Sequence, residues 1–490
     1  MPRFKQMPLN PDQVMLFPVS VDAALPADSD VRAISEVMDL LDWSKILSSY
    51  SEEGCPAYPP QVMTRILVYA YSSGVRSSRK IEALVENDKR YIWLAGGLTP
   101  DFHTLARFRR DKWEYLVSLF EDTARLCREA GLVKLDLVAI DGSKVPGAAS
   151  RRSVYDGKRI ERERAAIERV LSEAEQVDHE EDERYGSSNG RELPKELADA
   201  KERKKRLERA AELLRESKRE KVSVTDPDSR RMKTRWGIRN GYNLQAAVDV
   251  ASQVVVAMDV IQEETDSGQL MPMIQKVKQT VGEAPKLSVA DSGYCDEDTL
   301  LALESSEINA LFPVQEPTNE HHEELFRNEC FIHDEDRDVL ICPAGRELAF
   351  KRFNKKGSGT YRIYAAKGCQ SCSFYLQCAG GKSSRRISRS IVYGMRRKMQ
   401  ERMKSPQGGE QYSLRRQSVE PVFGQVKSNR GFGRLLLFGL NGAKAECALV
   451  FIAHNVLKCT KMLKKTAIKP LKMQRAAIGF VHGQEIALAA

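Results

Sequence analysis

The sequence has no long hydrophobic run and no cysteine pattern typical of a disulfide framework. Its nearest approach to an apolar run, Ala448–Ala453, is far shorter than the roughly 18 residues that a membrane-spanning helix needs. The first residues lack the apolar stretch of a secretory signal. Ten cysteines scattered over 490 residues do not suggest a disulfide-stapled domain. We therefore expect a cytoplasmic protein with no membrane partner.

The chain is long, charged and locally basic. Its 490 residues favour roughly two to four structural units, and 30% of them are charged, with a net charge of +9. Between Lys382 and Arg434 there are 14 Lys or Arg residues, three Glu and no Asp. Such a segment can neutralise the phosphates of a polyanion. It can equally be a solvated basic loop or contact another acidic partner.

Helical periodicity dominates the first part of the chain. Apolar residues recur at helical spacing in Val31–Leu47 and Val62–Tyr71, and Trp113–Ala130 is a further predicted helix that ends at Gly131. Short helices with Arg and Lys between them are typical of a small DNA-binding domain. A plain helical bundle has the same pattern.

The pattern then changes to alternating strands and helices. Leu135–Val145 is a short β-branched run, and Tyr242–Val250 and Val254–Ile261 have the spacing of a hairpin. A predicted helix at Leu270–Val281 precedes short strands near residues 286–290 and 310–314. This part of the sequence predicts a mixed α/β fold.

A charged segment interrupts the α/β pattern. Arg151–Lys221 is dense in Glu, Arg and Lys, and Gly186–Gly190 divides it into two halves with helical character. We expect an antiparallel helical hairpin or a partly disordered charged arm.

A cysteine-bearing segment, at about residues 319–389, is the second interruption. Cys369 and Cys372 form a C-x2-C pair, and Cys342 and Cys378 would complete a tetrahedral site for a structural Zn²⁺. Cys330 and His333 are alternative ligands. The main rival interpretation is a set of reduced cysteines that pack a small domain.

Two aspartates follow hydrophobic strands in similar contexts. Asp141 lies in Ala139-Ile-Asp-Gly-Ser143, and Asp291 lies in Val289-Ala-Asp-Ser-Gly-Tyr294. Carboxylates at the carboxyl ends of neighbouring strands meet at the edge where α/β folds hold ligands. Together they could share a divalent cation, because Mg²⁺ prefers oxygen ligands. For either residue alone, a simple Asp-Gly or Asp-Ser turn is the competing interpretation.

A third acid, Glu420, lies near a proline in the basic segment. Glu420, Phe423 and Lys427 share a face at helical spacing. Because Pro421 is best tolerated in the first turn of a helix, we expect the helix to start there with Ser418 as its N-cap.

The ordered set of motifs resembles the DDE transposases of bacterial insertion sequences, in the IS4/IS5-related group and nearest to its IS1182-type branch. The resemblance covers about Val31 to Lys458 and is far more specific than any single motif. Gly431-Phe432 and Asn455 also fit. The principal matching stretches are Ala139–Lys144, Thr225–Asp228, Gly241–Gln245, Ala290–Tyr294 and Val419–Lys427.

This resemblance implies an RNase H-like catalytic core in which Asp141, Asp291 and Glu420 are the catalytic residues and bind Mg²⁺ or Mn²⁺. The group's signature around the glutamate is Tyr, two residues, Arg, three residues, Glu, six residues, Lys. Arg416 and Lys427 match that spacing and are expected to contact DNA phosphate.

The resemblance is less specific for the remaining polar residues of these stretches. The signature tyrosine has no match, since Tyr412 lies one residue too early. Asp226, Asp228 and Asp266 also lie in matching or neighbouring stretches, and we expect turn or structural roles for them. The resemblance includes the cysteine segment and so favours zinc there.

The implied function is a DNA transposase that cuts at the ends of an insertion sequence and joins the freed 3′-hydroxyl to target DNA. Its partners would be inverted-repeat ends and target DNA, it would form a homodimer on DNA, and it would associate with the nucleoid. Arg107, Arg109 and Arg110 are candidates for end recognition. The alternatives are a metal-dependent nuclease without strand transfer and a catalytically silent DNA-binding regulator.

The predicted organisation combines an N-terminal helical domain, an α/β RNase H-like core, a charged helical-hairpin insertion and a zinc-ribbon-like insertion. The boundaries are 1–30 for an N-terminal segment, 31–133 for the helical DNA-binding domain, 134–150 and 222–318 for the first part of the core, 151–221 for the charged hairpin, 319–389 for the cysteine-rich insertion, 390–465 for the final core helices and 466–490 for a C-terminal tail.

Overall fold

A computed structural model of the chain describes residues 20–51, 55–185, 195–217, 219–234, 237–314, 326–357 and 359–466. The described parts of 1–132, 146–229 and 425–490 form one compact unit, and those of 133–145 and 230–424 form a second. Most of the predicted N-terminal segment, nearly all of the C-terminal tail and the Gly186–Gly190 break lie outside the described residues. No described helix is both long and apolar enough to cross a membrane.

Helices and strands both contribute extensively, so the predicted α/β class is confirmed. The helices are α1 (Asp30–Met38), α2 (Ser44–Leu47), α3 (Pro60–Ser72), α4 (Ser78–Asn87), α5 (Lys89–Ala95), α6 (Phe102–Asp111), α7 (Trp113–Glu129), α8 (Gly157–Tyr185), α9 (Lys195–Glu216), α10 (Leu270–Val281), α11 (Glu297–Glu304), α12 (Tyr375–Ala379), α13 (Tyr393–Lys404), α14 (Pro406–Gly424) and α15 (Gly439–Thr466). The strands are β1 (Val138–Pro146), β2 (Val154–Asp156), β3 (Lys221–Ser223), β4 (Arg230–Thr234), β5 (Gly237–Asp249), β6 (Val255–Ile261), β7 (Ser288–Val289), β8 (Ala310–Leu311), β9 (Ile332–Asp334), β10 (Val339–Ile341), β11 (Glu347–Lys356), β12 (Gly359–Ala366) and β13 (Arg386–Ser390).

Helix α15 is the centre of the first unit and packs along α7 and α3. Its start is capped by the Thr225–Asp228 motif. The Asp226 carboxylate accepts a hydrogen bond from the Gly439 amide at 3.0 Å, and the Asp228 carboxylate accepts one from Leu440 at 3.1 Å. These bonds satisfy amides that have no partner within the helix, and the negative charges favour its N-terminal dipole.

The charged segment of the first unit folds as two helices that pack against each other. Apolar residues on α8 and α9 form a small core, which includes Ile160 and Leu207. Arg203 of α9 pairs with Glu163 of α8 at 2.6 Å. Strands β2 and β3 pair antiparallel at the base of these helices.

A six-stranded mixed sheet organises the second unit. Its path runs β4, β5, β1, β7, β8, and β6 also pairs with β5. Strands β4 and β6 run antiparallel to β5, whereas β7 runs parallel to both β1 and β8. Val138, Ala139 and Ile140 of β1 are all fully buried, as expected for a central strand covered on both faces.

A second, antiparallel sheet carries the cysteine segment. Its strands follow the order β13, β12, β11, β10, β9. A small core around Leu340, Leu348 and Tyr364 packs against it, with Cys369 buried in the same cluster. This core was not visible as a periodic pattern in the sequence.

Helix α14 corrects the expectation for Pro421. The helix begins at Pro406 and passes through Pro421, so Ser418 is not an N-cap. The Ser418 hydroxyl instead donates to the carbonyl oxygens of Leu414 and Arg415, both at 3.0 Å. Pro421 has no amide hydrogen for the carbonyl four residues earlier, that of Gln417.

The side chain of Gln253 supplies the donor that Pro421 lacks. Its Nε2 donates to the Gln417 carbonyl oxygen at 3.1 Å from the turn between β5 and β6. Gln253 has a φ of 59°, a conformation uncommon for residues other than glycine. A tertiary contact therefore helps α14 to continue through a residue that normally interrupts a helix.

Candidate active site

Asp141 and Asp291 extend from adjacent parallel strands. In the register between β1 and β7, Ala139 lies opposite Val289, and each aspartate follows its paired residue by two positions. Parallel pairing thus brings both carboxylates to the same edge of the sheet. The two positions singled out in the sequence are brought together.

Arg415 of α14 bridges the two aspartates. Its Nη2 lies 2.9 Å from Asp141 Oδ1 and 3.8 Å from Asp291 Oδ2. The guanidinium is nearly buried, with 9% of the side chain exposed, while 16% of the Asp141 side chain and 39% of that of Asp291 are exposed. Asp291 faces solvent more openly, so the pair is approachable from that side.

Burial and neighbouring charge perturb Asp141. Burial raises the pKa of the Asp141 carboxyl to about 6, and the carboxylates of Asp291 and Asp266 act in the same direction. Arg415 and the Gly142 amide, which donates to Asp141 Oδ1 at 2.9 Å, act against this rise in pKa. A carboxylate in such surroundings gains from an added cation, because the cation offsets both desolvation and repulsion.

Asp266 is part of the same cluster. Its Oδ1 accepts hydrogen bonds from Asn243 Nδ2 at 2.7 Å and from Gln245 Nε2 at 2.6 Å. Both amide residues are fully buried on β5, and the Gln245 carbonyl accepts from the Tyr294 hydroxyl. The Gly241–Gln245 and Ala290–Tyr294 motifs therefore meet through side-chain hydrogen bonds.

A glycine is required at position 142 because other side chains approach its backbone closely, not because the chain turns there. Strand β1 continues through Asp141 and Gly142, contrary to the turn interpretation of this dipeptide. A Cβ atom at position 142 would lie 2.1 Å from Asp266 Oδ1 and 2.5 Å from Gln245 Nε2. Only a glycine leaves room for Asp266 beside the first aspartate.

Glu420 does not join the two aspartates. It is exposed on α14, five residues after Arg415, and this spacing turns it by roughly 140° around the helix. Among the described residues, no three Asp, Glu, His or Cys side chains are arranged to hold a metal ion. The structure thus assembles two members of the predicted triad without the third.

The arginine beside the aspartates is Arg415, not Arg416, which is exposed. Burial raises the pKa of Tyr412, and Asp291 and Asp141 add to the rise while Arg415 opposes it, so the tyrosine is close to this cluster. The spacing Tyr412-x2-Arg415 matches the first half of the family signature and was the available signal. Lys427 is half-buried on a π-helical turn, Gln425–Asn429, that follows α14.

Arg109, one of the residues expected to recognise DNA ends, is buried and bonded within the first unit. It is 2% exposed, and its guanidinium donates to the Tyr71 hydroxyl at 3.0 Å and to the Arg76 carbonyl oxygen at 2.9 Å. It also lies 4.0 Å from the fully buried carboxylate of Glu446. Its neighbours in the motif, Arg107 and Arg110, are exposed, and Arg110 pairs with the adjacent Asp111 at 2.7 Å.

The four cysteines of the predicted zinc site line one small cavity of about 20 Å³. Burial raises the pKa of the Cys378 thiol, and the other three thiols add to the rise. The Arg346 amide donates to Cys342 Sγ at 3.3 Å, and the Arg385 amide donates to Cys369 Sγ at 3.4 Å.

The alternative ligand His333 lies in a different set of contacts. Its Nε2 is 3.3 Å from both Asp338 Oδ1 and the Tyr364 hydroxyl. Cys330 does not line the cysteine cavity. The cluster therefore consists of Cys342, Cys369, Cys372 and Cys378.

Comparison with known families gives two matches. Residues 341–460 match the model of a transposase DDE domain, and residues 19–111 match a transposase domain known as DUF772. Each of these segments is therefore similar to a transposase domain. The resemblance found in the sequence is thereby confirmed, and the matches agree with an IS1182-type DDE transposase.

Comparisons with whole proteins add little to the two family matches. No curated protein matches the chain. Among solved structures, a cryo-EM structure of the piggyBac transposase synaptic complex with hairpin DNA aligns over 94% of this chain and 86% of that chain, at 9% identity. Its TM-score is 0.24, too low to support a structural argument.

Proposed function

We propose that this chain is a DDE-type DNA transposase that cuts DNA at the ends of an insertion sequence and transfers the freed 3′-hydroxyl to target DNA. The observation that carries the proposal is the convergence of Asp141 and Asp291 at one sheet edge, within a chain that has two segments similar to transposase domains. The same edge holds Arg415, whose fork of donors suits phosphate as well as carboxylate.

The sheet supports an RNase H-like core. Counting β1, β5, β6, β7 and β8 as the first to fifth strands of that core gives the spatial order third, second, first, fourth, fifth. The antiparallel hairpin of β5 and β6 and the parallel strands β1, β7 and β8 agree with the family fold expected from the sequence resemblance. In this assignment Asp141 lies on the first strand and Asp291 follows the fourth.

The donor set of the edge fits Mg²⁺ or Mn²⁺. Asp141 and Asp291 would be ligands, and their crowding with Asp266 makes an added cation favourable. A pair of divalent ions, when bound, activates an attacking water or 3′-hydroxyl and stabilises the leaving oxygen. The chain's own part is to fix the carboxylates through the Gly142 and Gly293 amides and to present Arg415 beside them.

The test uses full-length protein, Mg²⁺ and a duplex that carries the ends of the element. The wild type is expected to yield both cleaved and strand-transfer products, and Asp141→Asn or Asp291→Asn is expected to abolish both. Asp136→Asn is the matched control, because Asp136 is an exposed acid just before β1 that pairs with Lys286 at 2.7 Å. Cleavage without joined products would identify a nuclease, and end binding without cleavage would identify a silent regulator.

The third carboxylate is tested separately. The resemblance assigns it to Glu420, whereas Asp266 is the acid already beside Asp141. We propose that Glu420 is the third carboxylate in the DNA-bound state and that α14 rotates to bring it toward the aspartates. Glu420→Gln should then abolish cleavage while leaving DNA binding intact. If Asp266→Asn abolishes cleavage and Glu420→Gln does not, Asp266 holds that role.

We also propose a structural Zn²⁺ at the cysteine cluster. Four thiols, the residue type and number of a structural Zn²⁺ site, line one cavity, and two of them accept hydrogen bonds from backbone amides. Among the described residues these thiols are not arranged as a metal ligand set, so zinc binding would have to draw them together. Zinc there would hold the second sheet together and take no part in the chemistry. The DNA-bound homodimer and the contacts of Arg107, Arg110, Arg416 and Lys427 with DNA are further parts of this proposal.

A further inference from the structure

The outer half of strand β11 is a free sheet edge. Strand β11 pairs with β12 from Leu348 to Lys356, but β10 pairs only with Glu347–Ala349. Within the part of the chain that the structure describes, the residues after Phe350 therefore have no strand on their second edge. Their side chains from Lys351 to Lys356 are all exposed.

This edge is strongly and locally cationic. From Leu348 to Lys367 the sequence has six Lys or Arg residues and no acid. The cations of the edge fall into two adjacent pairs, Lys351-Arg352 and Lys355-Lys356. None of these four forms an ion pair with any described residue, whereas Arg362 on β12 is held by Asp338 at 2.9 Å.

An exposed aromatic ring lies between the two pairs. Phe353 is 58% exposed and packs edge-on against Phe350, with ring centroids 5.1 Å apart. It lies opposite Arg362 in the register, and the Arg362 guanidinium is 5.7 Å from its ring. On the other strand of the hairpin, the Thr360 amide donates to Glu297 Oε2 at 2.9 Å and ties the hairpin to α11.

Protection against edge pairing explains part of this pattern. Lysines on a free strand edge discourage association with other strands. That function gives no reason to leave a large aromatic ring exposed between the charges. A surface that meets a polyanion accounts for both features, because aromatic and cationic side chains together are favoured where sugars, bases and phosphates are contacted.

The spacing suits duplex DNA. Four residues of extended chain span about 13 Å, which is close to the roughly 12 Å width of the major groove, and that groove admits a two-stranded ribbon. We propose that the β11–β12 hairpin is a DNA-contact ribbon, with Lys351-Arg352 and Lys355-Lys356 on phosphates that flank a groove and Phe353 between them. The inference rests on the proposed function in that the partner is the transposase's DNA.

The first experiment compares two full-length variants of equal charge. The ribbon variant replaces Lys351, Arg352, Lys355 and Lys356 with Gln, and the control replaces Lys278, Lys286, Arg337 and Lys398, which are exposed elsewhere in the same unit. Each lowers the net charge from +9 by four to +5. Binding to a fluorescent duplex is measured by anisotropy without added divalent metal, between about 50 and 200 mM salt.

We expect the ribbon variant to lose at least about tenfold in affinity and to reduce the slope of log K against log salt by about 3 to 4, since each phosphate contact contributes roughly 0.9. The control should change the slope by less than about 1. The loss should be similar for end-bearing and unrelated duplexes, because backbone contacts carry no sequence information. Equal effects in both variants, or none in either, would overturn the proposal.

A second measurement leaves the charges intact and covers the case in which the ribbon variant aggregates. A photoreactive phenylalanine analogue at position 353 should crosslink to the duplex, and the same analogue at the exposed Leu301 of α11 should not. No crosslink at position 353 in protein that binds DNA refutes the ribbon. Because neither assay depends on cleavage, failure of the proposed chemistry would remain distinguishable from failure of this inference.

Discussion

The hydrogen bond between Gln253 and helix α14 predicts that Gln253 stabilises the part of α14 that carries Glu420. Pro421 leaves the Gln417 carbonyl without its helical donor, and Gln253 Nε2 occupies that place at 3.1 Å. Gln253→Glu keeps the size of the side chain and removes the donor. Loss of a hydrogen bond at a partly exposed site costs about 0.5–1 kcal/mol.

The cost should appear as local opening of α14. Global unfolding of a chain with two units is not a two-state process, so hydrogen–deuterium exchange of the peptides that cover residues 410–424 is the better assay. A cost of 0.5–1 kcal/mol corresponds to roughly two- to fivefold faster exchange there. Peptides from α7, which belongs to the first unit, serve as the internal control.

A double-mutant cycle isolates the interaction. Pro421→Ala restores an amide that can donate to Gln417, so the donor from Gln253 becomes redundant. Gln253→Glu should then have almost no effect in the Pro421→Ala background, and the coupling should be about 0.5–1 kcal/mol. An equal increase of exchange in both backgrounds would refute the reasoning, since Gln253 would then act through some other contact.

Four further outcomes are expected from the geometry. Arg109→Ala leaves Glu446 buried with one cation fewer, so it should destabilise the first unit by about 3 kcal/mol and lower the midpoint of that unit's thermal transition, whereas the exposed Arg107→Ala should not. Burial raises the pKa of Asp141 to about 6, so the folded state favours the protonated carboxyl. In the metal-free protein this protonation stabilises the fold fully below about pH 4, and the stabilisation is lost as the pH rises through 6. Mn²⁺ affinity should run the other way, falling about tenfold per pH unit below 6 in calorimetric titrations; an affinity unchanged from about pH 5 to 7 would contradict this. Cys372→Ser should remove the zinc that elemental analysis finds in the purified wild type, and wild-type protein without zinc would rule out the metal.

Local patterns predicted the elements whose periodicity is strong. The helix expected at Leu270–Val281 has those bounds in the structure, and the predicted hairpin corresponds to β5 and β6. Strand β1 begins within the predicted run and continues past Gly142. In each case a continuous apolar or alternating pattern fixes the element, since its buried face lies within one short segment.

Contacts between distant residues account for what the sequence did not reveal. Pro421 normally marks a helix start, and only the Gln253 side chain, 164 residues away from Gln417, permits a different outcome. For Arg109 a local signal existed but was outweighed by its charge. Leu105 lies four residues earlier on the same buried face of α6, so helical spacing would have placed Arg109 inside.

Helix α14 also carries the family signature in two registers. Tyr412 and Arg415 have the spacing of its first half and lie near the aspartates, whereas Arg416 and Glu420 have the spacing of its second half and are exposed. One extra residue separates the halves, which corresponds to a turn of about 100° around an α-helix. The π-helical turn at Gln425–Asn429 comes after Glu420, so it does not change the orientation of Glu420 relative to Arg415. Arg415, which neutralises the aspartates, and Glu420, which matches the signature glutamate, therefore lie on different faces of one helix. Glu420 can act with Asp141 and Asp291 only if α14 rotates when DNA binds.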